Sequence, residues 1–287
     1  MLFPSLSFRS VRVVTAVLVI LVLAVTFSTP AFSASSVTTI DVPGASSTIA
    51  RGINDRSHIV GAYTDATGTH GFLYSKGVFT TIDVPGASFT NAIEINNRGY
   101  IVGRYDDAIG THGFLFSKGV FTTIDVPGAS FTVARGINDR GQIVGIYEDA
   151  IGTHGYLFSK GAFTTIDVPG ATSTRPWKIN NRGYIVGTYD DATGTHGFLY
   201  SKGAFTTIDV NVPGASSTIP LGINDRGQIV GNYDDATGAT HGFLFSKGAF
   251  TTIDVPGASF TQAGGINDGG HIVGAYGDAT GVHGFVQ

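Results

Sequence analysis

The 287-residue sequence contains no cysteine, which excludes a disulfide framework and any thiolate metal site. Methionine and tryptophan occur once each. Charged residues make up 13% of the chain, about half the usual share, which argues against both a solvated disordered chain and a helical one. A basic excess that would hold nucleic acid is also missing: 17 Lys and Arg stand against 21 Asp and Glu, a formal net charge of −4. Long apolar runs are lacking too. The longest, Val13 to Phe27, reads VVTAVLVILVLAVTF and falls short of the ~20 residues of a membrane-spanning helix.

That run has its own meaning. Arg9 and Arg12 precede it and STPAFSA follows, the charged, apolar and small-residue order of a secretory signal with cleavage near Ser33 or Ala34. Residues 1–34 are therefore expected to be a signal peptide and 35–287 one exported domain, periplasmic or extracellular, with no membrane span after cleavage. A retained membrane anchor is the alternative. The domain keeps 15 basic and 21 acidic residues. Without disulfides it must be held by its core alone, and its length suffices for one.

What is abundant points to β structure: 41 Gly, 20 Phe and 11 Tyr, with many Val, Ile and Thr. Above all, the chain repeats itself. The segment TTIDVPGA recurs with its Ile at Ile40, Ile82, Ile124, Ile166, Ile208 and Ile253. The first four intervals are 42 residues and the fifth is 45, lengthened by Asn211-Val212 and by one residue of the turn Gly238-Ala239-Thr240. One period predicts four short strands, illustrated in the third copy by a stretch around Gly136–Asn138, then Gln142–Tyr147, His154–Ser159 and Phe163–Val168. Asn138-Asp139-Arg140-Gly141 and Ser159-Lys160-Gly161 supply hairpin turns, and Pro169 ends the fourth strand because it cannot donate to a ladder.

Four antiparallel strands in 42 residues match the ~40–45 residues of a propeller blade. Val37–Val42 reads as a lone fourth strand, and the chain stops at a third strand, His283–Gln287. Pairing them completes a sixth blade and removes exposed sheet edges. The expected fold is an all-β, six-bladed propeller with repeats near 50–84, 92–126, 134–168, 176–210, 220–255 and 263–287 plus 37–42. An open solenoid would need polar caps, and none is evident.

The units GINDRGQIVGxY, THGFLYSKG and FTTIDVPGA together resemble the extracellular HAF repeat family, named for a His-Ala-Phe step. Here that step is His-Gly-Phe at His70, His112, His196, His241 and His283, and His-Gly-Tyr at His154. The resemblance covers the whole exported domain and implies bacterial export and an all-β repeat fold. It implies no activity.

Repetition also sorts the charges. Loops between second and third strands hold Asp65, Asp106, Asp107, Glu148, Asp149, Asp190, Asp191, Asp234, Asp235 and Asp278. The opposite hairpins hold Arg56, Arg98, Arg140, Arg182, Arg226, Lys76, Lys118, Lys160, Lys202 and Lys247. One rim is thus expected to be acidic and the other mixed to basic. The adjacent acids Asp106-Asp107, Asp190-Asp191 and Asp234-Asp235 are the candidates for Ca²⁺, the only cofactor the sequence suggests. No loop carries an EF-hand or Gly-Gly-x-Gly-x-Asp pattern, so a turn-forming role is expected for them. The six repeated His, each too far from its equivalents to share a zinc ion, are expected to bond a nearby backbone or Asp group.

A site that breaks six-fold symmetry must use positions where the copies differ. Just before each Ile-Asn step these are Arg51-Gly52, Ile93-Glu94, Arg135-Gly136, Trp177-Lys178, Leu221-Gly222 and Gly264-Gly265. A second variable set is Ala62, Arg104, Ile146, Thr188, Asn232 and Ala275. Arg51, Glu94, Arg104, Arg135, Trp177 and Lys178 are the candidate ligand residues at the mouth of a central channel, suited to a glycan or another polar or anionic ligand. A catalytic group is not expected: Glu94 has no evident carboxylate partner, and neither Gly-x-Ser-x-Gly nor His-Glu-x-x-His occurs. A glycoside- or lactone-cleaving propeller and a structural surface protein that binds partners through its rims stand as alternatives to a binding scaffold.

Overall fold

The structure is a computed structural model, and it describes residues 36–210 and 214–287. The expected signal peptide and the Asn211-Val212 insertion lie outside the described residues. Among the described residues there are twenty-four strands and no helix. After β1 (Thr38–Ile40) come β2 (Ser47–Ile53), β3 (Ile59–Thr64), β4 (Thr69–Ser75) and β5 (Val78–Ile82). The second copy forms β6 (Phe89–Ile95), β7 (Ile101–Asp106), β8 (Thr111–Ser117) and β9 (Val120–Ile124). The third forms β10 (Phe131–Ile137), β11 (Ile143–Glu148), β12 (Thr153–Ser159) and β13 (Ala162–Ile166). Next are β14 (Ser173–Ile179), β15 (Ile185–Asp191), β16 (Gly194–Ser201) and β17 (Ala204–Thr207). The fifth copy gives β18 (Ser217–Ile223), β19 (Ile229–Asp234), β20 (Thr240–Ser246) and β21 (Ala249–Ile253). The chain ends with β22 (Phe260–Ile266), β23 (Ile272–Asp278) and β24 (Gly281–Val286).

Within each copy the strands pair antiparallel in sequence order, as the turn chemistry requires. The last copy has three strands of its own, and β1 supplies the fourth by pairing antiparallel with β24, Thr39 opposite Phe285. The chain's first described strand thus completes its last unit. Single parallel bridges such as Thr69–Phe89 and Ser47–Val282 stitch neighbouring units together at one corner.

The core lies between units rather than within them. Val60 and Ile82 of one unit pack with Ala92, Ile95, Ile101 and Phe114 of the next. Ile40 and Val273 pack in the same way on Ile53, Ile59 and Phe72. One aromatic per unit, Phe72, Phe114, Tyr156, Phe198, Phe243 or Phe285, is fully buried. Each lies under a glycine of the second strand. A Cβ on Gly61 would stand 2.8 Å from the Phe72 ring and closer still to the Ile49 carbonyl, so the Val-Gly step is fixed by lack of space.

A second device links the units. The side-chain oxygen of Asn54 accepts from the backbone N–H groups of Arg56 and His58, both at 3.0 Å, and so closes its own turn. Its Nδ2 donates to the carbonyl of Asn96 in the next unit, 3.1 Å away. Asn96, Asn138, Asn180 and Asn224 repeat the bond, and Asn267 donates to the carbonyl of Asn54 at 3.1 Å, where the series returns to its start.

Two expectations about the strands need correcting. The innermost strand begins at Phe131, five residues ahead of Gly136, because the Val-Pro-Gly-Ala turn closes with the Ala129-to-Val126 bond and extension resumes at once. The outer strand stops at Ile166 rather than Val168, because Asp167 turns its carboxylate to His154.

Candidate functional site

The innermost strands β2, β6, β10, β14, β18 and β22 each carry a bulge, with the register shifting between Ala50 and Gly52 and at the matching place in every copy. The unpaired bulge residues are Arg51, Ile93, Arg135, Trp177, Leu221 and Gly264. An extra residue in one strand re-aims its side chain, a use bulges serve beside binding sites. One cavity is lined by Arg51, Trp177, Leu221 and Gly264 from these bulges, with Ile49 and Gln262 beside them.

At the next residue, four copies have glycine: Gly52, Gly136, Gly222 and Gly265. There the backbones approach closely. A Cβ on Gly136 would lie 2.9 Å from Lys178 Cα, and one on Gly52 would lie 2.7 Å from Glu94 Oε1. The two copies with side chains place them against each other. Lys178 Nζ pairs with the Glu94 carboxylate and also donates to the Ile93 carbonyl at 3.0 Å. Burial pushes Glu94 up and Lys178 down from their ordinary values, and each partner's charge opposes that shift. The partner of Glu94 is thus a lysine and not a second carboxylate. Both residues are consumed by each other, and Lys178 forms a floor between the bulge cavity and a wider one, bordered by the asparagine turns, that Glu94 also lines.

Above this floor the arginines are crowded. The guanidinium of Arg135 stacks on the Trp177 ring, 3.7 Å from its centroid, and that of Arg104 lies 4.5 Å over Phe89. Arg175, which sequence reasoning missed, pairs with Asp190 at 2.6 Å, and Arg104 stands 3.8 Å from Asp106. Among the described residues, Arg51 and Arg135 have no carboxylate partner. Burial first, then the charge of Arg104, lowers Arg51 to about 10. Burial, then Arg175, Arg51 and Arg104, lowers Arg135 to about 9. Among the described residues four enclosed donors, Arg51 Nε, Arg104 Nε, Arg135 Nη1 and Trp177 Nε1, have no hydrogen-bond acceptor, and one acceptor, Asn91 Oδ1, has no donor. Such groups cost ~1–3 kcal/mol each when unmet, more when charged. The sequence signal for Arg175 was a third variable set, Ile49, Asn91, Val133, Arg175, Ile219 and Gln262, hidden by the late start assigned to the first strand.

The acidic loops are otherwise engaged. Asp107 Oδ1 accepts from the N–H groups of Ile109 and Gly110, and Asp191 and Asp235 close their own turns with Thr193 and Thr237. Asp106, Asp190 and Asp234 accept from the hydroxyls of Thr111, Thr195 and Thr240, each at 2.7 Å. Among the described residues no group of three or more His, Asp or Glu is placed to hold a metal ion. Each repeated His gives Nδ1 to the Asp of an Ile-Asp-Val segment, as in His70–Asp83 at 2.7 Å and His283–Asp41 at 2.7 Å. These pairs join third strand to fourth, and the last of them joins the first described strand to the last.

No family model and no curated protein sequence matches this chain. Solved structures do match it in shape. A lectin of Aleuria aurantia, in complex with Fucα1-6GlcNAc, aligns over 87% of this chain and 93% of its own with TM-score 0.53 at 12% identity. TolB from Acinetobacter baumannii gives TM-score 0.59 at 11% identity over 81% of this chain and 64% of its own. A putative gluconolactonase gives 0.50 at 13% identity over 90% and 96%. All are β-propeller proteins. The chain has a propeller-like all-β fold, and identities this low establish the fold alone.

Proposed function

We propose that this protein is an exported, closed six-bladed propeller that works as a binding scaffold, taking a polar ligand in the channel between its inner strands. Closure is supported by the pairing of β1 with β24 and by the asparagine bond from Asn267 back to Asn54. Export is supported by the leader-like residues 1–34 and the HAF resemblance. A single observation carries the functional reading: the bulges bring Arg51, Arg135 and Trp177 together with donors that no group among the described residues satisfies. A fold does not hold unmet buried donors for stability, since they lower it. Hydrolysis is less well served, because Glu94, the one acid at this level, is tied to Lys178. The lectin neighbour makes sugars the first class to test. A glycan array probed with the wild type and with Trp177→Ala should show binding that the substitution removes. Equal binding by both proteins would defeat the proposal; no binding by either would remove sugars as the ligand class, and the proposal would fall if simple anions were not bound either.

A further inference from the structure

We infer that the group recognised in the channel is a compact oxyanion, a carboxylate, sulfate or phosphate, seated between Arg51 and Trp177. This deepens the binding-scaffold reading and rests on it. The exported domain has 15 Lys and Arg, and ten of them sit on the hairpin turns of one rim. The other five are Arg51, Arg104, Arg135, Arg175 and Lys178, and all five come from the inner two strands of their units. Carboxylates answer three of these: Glu94 for Lys178, Asp190 for Arg175 and, more distantly, Asp106 for Arg104. Arg51 and Arg135 are left with none. Burial first, and then neighbouring arginines, lowers the proton affinity of both: Arg104 acts on Arg51, and Arg175, Arg51 and Arg104 act on Arg135.

On the inner two strands the unmet groups are four donors, Arg51 Nε, Arg104 Nε, Arg135 Nη1 and Trp177 Nε1, against one acceptor, Asn91 Oδ1. Guanidinium and indole nitrogens donate and cannot accept, so only an acceptor satisfies them, and a negative one also relieves the repulsion. The cavity between Arg51, Trp177, Leu221 and Gln262 holds about 30 Å³. That is space for roughly two waters, counting ~10–15 Å³ for each. A hexose ring is far larger, so the sugar-ring fit expected from the sequence does not suit this cavity. One charged group does, either as a free ion or as the end of a larger molecule that projects out of the cavity. Arg135, stacked on the indole, holds the ring of Trp177 in place at the cavity wall.

Trp177 is the sole tryptophan, so its emission reports on this site alone. Sodium sulfate, inorganic phosphate, acetate, D-glucuronate and the neutral sugars L-fucose and D-glucose would each be titrated into the wild type at fixed pH. The expected result is a saturable change in emission with the anions, at least tenfold weaker in Arg51→Gln, and none with neutral sugars. Tighter binding of glucuronate than of acetate would identify an acidic sugar as the source of the group. Equal response to sulfate and phosphate alone would identify a free inorganic ion. Leu221→Glu provides a second variant, because it brings a carboxylate of the protein's own to the same cavity. It should raise the melting temperature and abolish the anion response. Anion titrations that leave emission unchanged, or a response that survives both substitutions, would overturn the inference. If neutral sugars alone shifted the emission, the anion would fall while the scaffold reading stood. If nothing shifted it, both would fall.

Discussion

Lys160 has φ 52° and precedes Gly161 at φ 80°, so the Ser-Lys-Gly hairpin has two consecutive left-handed residues, the type I′ pattern. Lysine is a poor choice there. Its Cβ meets the following carbonyl at a cost of ~1 kcal/mol, which asparagine largely avoids. Lys160→Asn is therefore expected to stabilise the protein by up to about 1 kcal/mol, read as a higher urea midpoint with an unchanged slope. Charge at a buried position behaves in the opposite way. Lys178 is 4% exposed and its Nζ touches only Glu94 and the Ile93 carbonyl. Lys178→Met alone leaves the Glu94 carboxylate buried and unpaired, a loss of ~3–5 kcal/mol. Adding Glu94→Leu should restore most of it. A double-mutant cycle by urea unfolding checks this, and strict additivity of the two single losses would show that the pair does not act as a unit.

At the scale of the element, third and fourth strands are held by His-Asp pairs that titrate. His154, His196 and His283 are all raised above the ordinary imidazole value, chiefly by the hydrogen bond to Asp167, Asp209 and Asp41. A raised folded value means that the native state binds the proton more tightly than the unfolded chain does. The stabilisation is then complete below pH ~6.5 and is lost as pH rises through the raised values. Melting temperature should thus decline from pH 6 to pH 8, and Asp167→Asn should flatten part of that slope. A slope identical to wild type would remove His154 from the account. These pairs also show what the sequence disclosed and what it hid. Strand type, turn positions and the structural role of the repeated His follow from period-2 alternation, Gly-bearing turns and repetition. The start of the inner strand did not, because Ser130-Phe131-Thr132 follows a Pro-Gly turn and shows little polar alternation. Missing that start concealed Arg175 and the bulge that aims Trp177. Asn138 read as an ordinary turn residue, since a bond to a carbonyl 42 residues away leaves no local pattern.

For the whole molecule, the decisive joint lies where the last unit meets the first. The residue after each repeated Asn forms a second series: Asp55, Asn97, Asp139, Asn181, Asp225 and Asp268. In each, a side-chain oxygen accepts the backbone N–H of the preceding member, ending with Asp268 N–H to Asp55 Oδ1 at 2.8 Å. Asn97 and Asn181 also donate Nδ2 to the carboxylates on both sides, Asp55 and Asp139 for one, Asp139 and Asp225 for the other. Where a third asparagine would complete the alternation stands Asp268, between Asp225 and Asp55 with no donor to offer. Burial, then the charges of Asp225 and Asp55, pushes its carboxyl above the usual range. The raised value makes Asp268 a liability at neutral pH that is relieved as pH falls through its folded value towards ~3.9. Asp268→Asn supplies the missing donor and removes the repulsion. One hydrogen bond of this kind contributes ~1 kcal/mol, which in a domain of this size raises the melting temperature by about 2–4 °C at pH 7. The gain should shrink towards pH 4, where protonated Asp268 donates for itself. The effect depends on Asp268 and Asp55 being neighbours although 213 residues separate them. In an open array Asp268 would sit at a free end beside Asp225 alone and lack half of its repulsion. A melting temperature unmoved by Asp268→Asn, in a protein whose Asn181→Asp variant is destabilised, would therefore argue against closure itself.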